Sequence, residues 1–118
     1  MTSDPSGLPL AVSHRDPSGL FAIETTVVAW REARSTSSRV RVVVLTLGGG
    51  TLRDADKGSL PLDGLTVAMH IANGRLEPGD VPEPGPLSEL QQDALLDAVR
   101  TALDADRRLI VHLARRSL

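Results

Sequence analysis

Residues 65–77 read Leu65-Thr66-Val67-Ala68-Met69-His70-Ile71-Ala72-Asn73-Gly74-Arg75-Leu76-Glu77. Leu65, Val67, Met69 and Ile71 alternate with Thr66, Ala68, His70 and Ala72, the period of two that a half-buried strand requires. Asn73-Gly74 follows at once. Both residues tolerate positive φ, so the pair predicts a two-residue hairpin turn with Arg75 to Glu77 returning antiparallel.

Upstream, Phe21 to Arg31 and Val40 to Leu47 are rich in β-branched residues and predict two more strands. The polar run Ser35-Thr36-Ser37-Ser38 between them suits a hairpin connection. Both strands are apolar on both faces. Val40, Val42 and Val44 oppose Val43, Leu45 and Leu47, while Phe21, Ile23, Val27 and Ala29 oppose Ala22, Val28 and Trp30. Further upstream, Asp-Pro-Ser-Gly-Leu occurs at 4–8 and again at 16–20, each copy a turn, with a short edge strand over Leu10 to His14 between them. Gly48-Gly49-Gly50 ends the Val40 strand in a bulge or loop exit, and Thr51 to Gly64 reads as a loop with five charged residues.

Downstream, residues 78–86 hold four prolines and two glycines, which excludes helix and inner strand and predicts a semi-rigid extended connector. Ser88 with Gln91 three residues on is a capping box. Leu87, Leu90, Ala94, Leu95, Ala98, Val99, Ala102 and Leu103 then fall at helical spacing, opposite Glu89, Asp93, Asp97 and Arg100. From Arg107 to Leu118 no Gly or Pro intervenes, and Arg115 and Arg116 favour a helix C-terminus. A strand through Leu109, Val111 and Leu113 is the rival.

These elements predict an α+β fold: an antiparallel sheet of four or five strands packed against a C-terminal amphipathic helix. The 118 residues are expected to form a single domain. Its parts are a turn-rich N-terminal segment (1–19), antiparallel strands (20–77), a Pro/Gly connector (78–86) and a helical C-terminal segment (87–118). A helix over Ser88 to Asp104 is about 25 Å long and covers one sheet face. The opposite apolar face is expected to be covered by the N-terminal segment, by the tail, or by a second copy, which makes a homodimer or a protein partner the expected assembly. The long connector would also let the helix pack on a neighbouring chain.

Composition narrows the function. With 13 basic against 15 acidic side chains, a net charge of −2 and only Phe21 and Trp30 as aromatics, the chain offers neither the clustered cations nor the stacking platforms of a nucleic-acid binder, so no nucleic acid is expected. The exception would be a fold gathering the pairs Arg39/Arg41, Arg107/Arg108 and Arg115/Arg116 on one surface. No apolar run approaches a membrane span, and the start of the chain lacks a basic and apolar leader, so no membrane and a cytoplasmic location are expected. Twelve arginines against one lysine have the look of a high-GC bacterial genome. The absence of cysteine excludes thiol catalysis and cysteine-ligated zinc.

No cofactor is expected: the glycine triplet lacks the spacing of a Walker or dinucleotide loop. Asp54, Asp56 and Asp63 lack the register of a calcium loop and read as solvated charge. His14, His70 and His112 lie too far apart for a local metal motif, so no metal is expected. His70 stands at the centre of a strand among the small residues Thr66, Ala68 and Ala72, where a pocket or a packed helix would fit. The leading functional expectation is a non-enzymatic protein–protein interaction or accessory module that self-associates. The alternative is a small cofactor-free lyase, isomerase or hydrolase, with His70 as general acid or base, Glu24 orienting it, and Trp30 and Thr66 lining the pocket.

Overall fold

Asn73 and Gly74 adopt φ of 54° and 72°, and the turn they form joins Thr66–Ala72 to Arg75–Pro78 as predicted. The computed structural model describes residues 6–34 and 39–116. Seven strands run in order: β1 (Leu10–Arg15), β2 (Phe21–Ala33), β3 (Arg41–Leu47), β4 (Thr51–Asp54), β5 (Gly58–Pro61), β6 (Thr66–Ala72) and β7 (Arg75–Pro78). Two helices follow, α1 (Glu89–Ala105) and α2 (Arg108–Arg116). The fold is therefore α+β, an antiparallel sheet backed by C-terminal helices. Its seven strands exceed the four or five expected because residues 51–64 hold a hairpin, β4–β5, where the sequence suggested a loop.

β2 is the spine. β1 pairs along one edge from Leu10↔Val27 to Arg15↔Ala22. On the other edge β3 pairs with residues 27–33 and β4 with residues 21–24. β3 and β4 thus form one long strand broken by Gly48-Gly49-Gly50. A Cβ on Gly50 would lie 2.0 Å from the Glu24 carbonyl oxygen, and one on Gly48 would lie 2.6 Å from a Val28 methyl, so only glycine fits this close approach. The register of β2 and β3 shifts between Val27 and Ala29, a bulge centred on Val28.

That bulge resolves the two-sided pattern of β2. Before it, Phe21, Ile23 and Val27 face the core; after it the phase changes and Trp30, paired with the buried Leu45, packs on the same core. Val43, Leu45 and Leu47 of β3, Val67 and Met69 of β6, and Leu52 of β4 complete that face.

α1 covers it. The predicted capping box is present: the Ser88 hydroxyl accepts from the Gln91 N–H while Gln91 Oε1 accepts from the Ser88 N–H. Leu95, Ala98, Val99 and Leu103 are buried as expected, but Leu90 is 69% exposed and Gln91 is buried in its stead. The connector is docked, not free: the Gly79 N–H donates to the Ala68 carbonyl, the Ala68 N–H donates to the Asp80 carbonyl, and Val81 and Leu87 enter the core. α1 therefore packs on its own sheet, against β1, β2 and β7. The tail is a helix, separated from α1 at Asp106, and its Leu109, Ile110 and Leu113 add to the same core.

The second Asp-Pro-Ser-Gly turn is held by Asp16, whose carboxylate accepts from the Ser18 hydroxyl and the Phe21 N–H; these bonds hold its pKa below the usual carboxylate value. The first copy begins, and the Ser35–Ser38 connection lies, outside the described residues.

Candidate functional site

Because α1 and α2 lie on one face, the opposite face of the sheet carries no helix among the described residues. Residues directly opposite one another in an antiparallel pair share a face, so the register alone fixes what this surface presents. At the β1–β2–β4 end, Arg15, Ala22 and Arg53 stand in one row and Ser13, Glu24 and Thr51 in the next. Across the β2–β3–β6 part the rows are Ala29–Thr46–Thr66, Arg31–Val44–Ala68 and Ala33–Val42–His70, with Glu77 of β7 beside His70. Small side chains dominate. Val28, pushed out by the bulge, is 46% exposed among them.

The sequence-derived candidates separate in this frame. His70 is half-buried on the helix-free face, with its Nε2 3.0 Å from where a Cβ on Gly79 would lie. Thr66 shares that face and lines a depression of about 240 Å³ with Arg31, Leu65, Pro82 and Glu83. Glu24 belongs to the β1–β2–β4 end. It pairs with Ser13 and Thr51, whereas the His70 row crosses β2 at Ala33, about 30 Å farther along the strand. Glu24 therefore cannot orient His70. Trp30 points the other way, into the helical side, where it meets His112 of α2 edge-on at 5.7 Å between ring centres. The structure brings none of His70, Glu24 and Trp30 together.

No family model, characterised protein or solved structure matches this chain. Among the described residues no group of three or more His, Asp or Glu side chains is placed to hold a metal ion, and no helix is long and apolar enough to cross a membrane.

Other polar groups are engaged structurally. His14 lies on the core side of β1, where its buried Nε2 makes no hydrogen bond and stands 3.4 Å from an Asp97 carboxylate oxygen, while the other oxygen of Asp97 accepts from Arg100. Asp54 is 7% exposed; its carboxylate accepts from Gln91 Nε2 at 2.8 Å and from the N–H groups of Asp56 and Lys57. The Gln91 bond is the largest of the causes that hold its pKa below the usual value. The expectation of solvated charge thus fails at Asp54, which closes the β4–β5 turn and ties it to α1.

Sequence reasoning missed Arg15 and Arg53. A depression of about 230 Å³ opens between them, lined also by Ser13, Ala22, Glu24 and Thr51. Arg15 alternates out of phase with Val12 and His14, which marks it as outward-facing. Arg53 carried no signal while its strand was read as a loop.

Proposed function

We propose that the protein is a non-enzymatic interaction module that self-associates through the β2–β3–β6 part of its helix-free face. The observation that supports this reading is the one-sided placement of the helices. Both amphipathic elements cover the same face, and the opposite one offers exposed Val28 beside Ala29, Thr46 and Thr66, small residues over which a second flat sheet packs closely. The bulge supports it too, since it turns Val28 toward solvent while the other large aliphatics of β2, Ile23 and Val27, are fully buried. A two-fold pairing of identical faces needs no further component.

Sedimentation or light scattering at micromolar concentration tests it. A mass twice the 12.5 kDa of the chain is expected, with Val28→Glu reverting it to the monomer without lowering the melting temperature. A monomer at all concentrations sinks the proposal. The enzymatic alternative has no comparable support, because His70 has neither Glu24 nor Trp30 near it.

A further inference from the structure

We propose that Arg15 and Arg53 form a binding site for the phosphate of a small phosphomonoester bearing hydroxyl groups. Both arginines stand directly opposite Ala22, one on each side, on the helix-free face. Their Cα atoms are separated by two strand spacings, about 10 Å, so two arginine side chains leaning over the alanine methyl converge on one oxyanion from opposite directions. Ala22 is the residue that leaves room. Its small side chain floors the depression of about 230 Å³ that the two arginines border.

Neither guanidinium has a hydrogen bond or ion pair among the described residues, whereas Arg41, Arg100, Arg107 and Arg108 are each paired with a carboxylate of Glu32, Asp97, Asp104 or Asp106. Two cations held side by side, with no carboxylate at ion-pair distance among the described residues, repel one another, a cost that a bound anion relieves. Guanidinium groups match the oxygens of a phosphate through paired N–H donors.

The next row decides the class of ligand. Ser13, Glu24 and Thr51 lie one pleat repeat, about 7 Å, from the Arg15–Ala22–Arg53 row and line the same depression. Glu24 accepts hydrogen bonds only and repels a second negative charge, while the two hydroxyls donate and accept. A ligand with one phosphate followed by alcohol groups satisfies both rows. A polyphosphate or nucleic-acid strand would set a second phosphate against Glu24. The site lies beyond the Val28 bulge from the surface proposed for self-association, so the two proposals stand or fall separately.

The test is an amide NMR titration of the whole chain at constant ionic strength with inorganic phosphate, glucose 6-phosphate and glucose, using wild type, Arg15→Ala, Arg53→Ala and Glu24→Gln. Both arginines are exposed, and unchanged melting temperatures would show that the variants fold. Saturable shifts at Ala22, Glu24 and Arg53 are expected with inorganic phosphate, about tenfold weaker in each arginine variant. Glucose 6-phosphate should bind more tightly than phosphate in wild type, and in Glu24→Gln the ratio of the two affinities should fall toward one. Shifts that fail to saturate up to about 50 mM, or equal affinity in wild type and the arginine variants, would overturn the site. Equal affinity for phosphate and glucose 6-phosphate would overturn the role given to Glu24.

Discussion

The side-chain amide of Gln91 is used at both ends: Oε1 accepts from the Ser88 N–H that caps α1, and Nε2 donates to the buried carboxylate of Asp54 at the end of β4. One residue thus fixes where the helix starts and where it lies on the sheet. Asp54 is ionised in this arrangement, and its folded pKa lies below its unfolded one. A group with a depressed pKa contributes stability above its unfolded pKa and loses it as the pH falls through the folded value. Wild type is therefore expected to lose stability as the pH drops below the ordinary carboxylate range. Asp106, held at about 2 by Arg108, and Asp16 act in the same sense. Asp54→Asn should flatten part of that acid limb in thermal melts recorded from pH 7 to pH 2, and Gln91→Leu should lower the melting temperature at pH 7. An acid limb identical in wild type and Asp54→Asn would contradict this role.

Leu95 and Leu90 belong to the same predicted stripe and have opposite fates, fully buried and 69% exposed. Leu95→Ala should cost about 2–5 kcal/mol in urea unfolding, the ordinary penalty for emptying a core leucine. Leu95→Asp should leave no folded protein. Leu90→Ala should change stability by no more than about 0.5 kcal/mol. Equal effects at the two positions would mean that α1 is rotated from the orientation described.

Those two leucines also show why part of the fold was legible and part was not. Helical period identifies a face only to within about one residue, and the exchange of Leu90 for Gln91 hinged on a hydrogen bond to a strand 37 positions away. The β6–β7 hairpin, the capping box and the tail helix follow from local chemistry and were readable. The β4–β5 hairpin was not, because β4 is short and carries Arg53 and Asp54, β5 is only Gly-Ser-Leu-Pro, and the partner of β4 is the distant first half of β2. The bulge at Val28 leaves no mark in composition, yet it decides which face each half of β2 buries. The candidate site suffered accordingly. Thr66 and His70 do share one face of β6, as their alternation implied, but without the register Glu24 was joined to the wrong neighbours and Arg15 and Arg53 were not joined at all.

The glycine triplet gives a third contrast. Gly49 has φ of 74° with open space where a Cβ would point, so Gly49→Ala pays only the left-handed backbone cost, about 1–2 kcal/mol. Gly50 has φ of 85° and would drive a Cβ to 2.0 Å from the Glu24 carbonyl, so Gly50→Ala must separate β4 from β2. Urea denaturation of the two variants should show a modest loss at 49 and a severe one, or no folded protein, at 50. A tolerated Gly50→Ala would refute the description of β3 and β4 as one broken strand on a single edge of β2.

The chain should not bind DNA or RNA at physiological salt. The sequence left one exception, a surface gathering the arginine pairs, and α2 does lie against Arg41, whose guanidinium donates to the Leu113 carbonyl. Yet Arg41 also pairs with Glu32, Arg107 with Asp104 and Arg108 with Asp106. A cation already neutralised by a carboxylate must exchange that partner for a phosphate, which cancels much of the gain from counterion release. Gel shifts with mixed-sequence duplex and single strand at about 150 mM salt are expected to show no retention at micromolar protein. Removing the competing carboxylates together, in Glu32→Gln with Asp104→Asn and Asp106→Asn, should raise affinity, with a steeper salt dependence than wild type. Retention of wild type that weakens steeply with added salt would show that these ion pairs open to phosphate and would overturn the prediction.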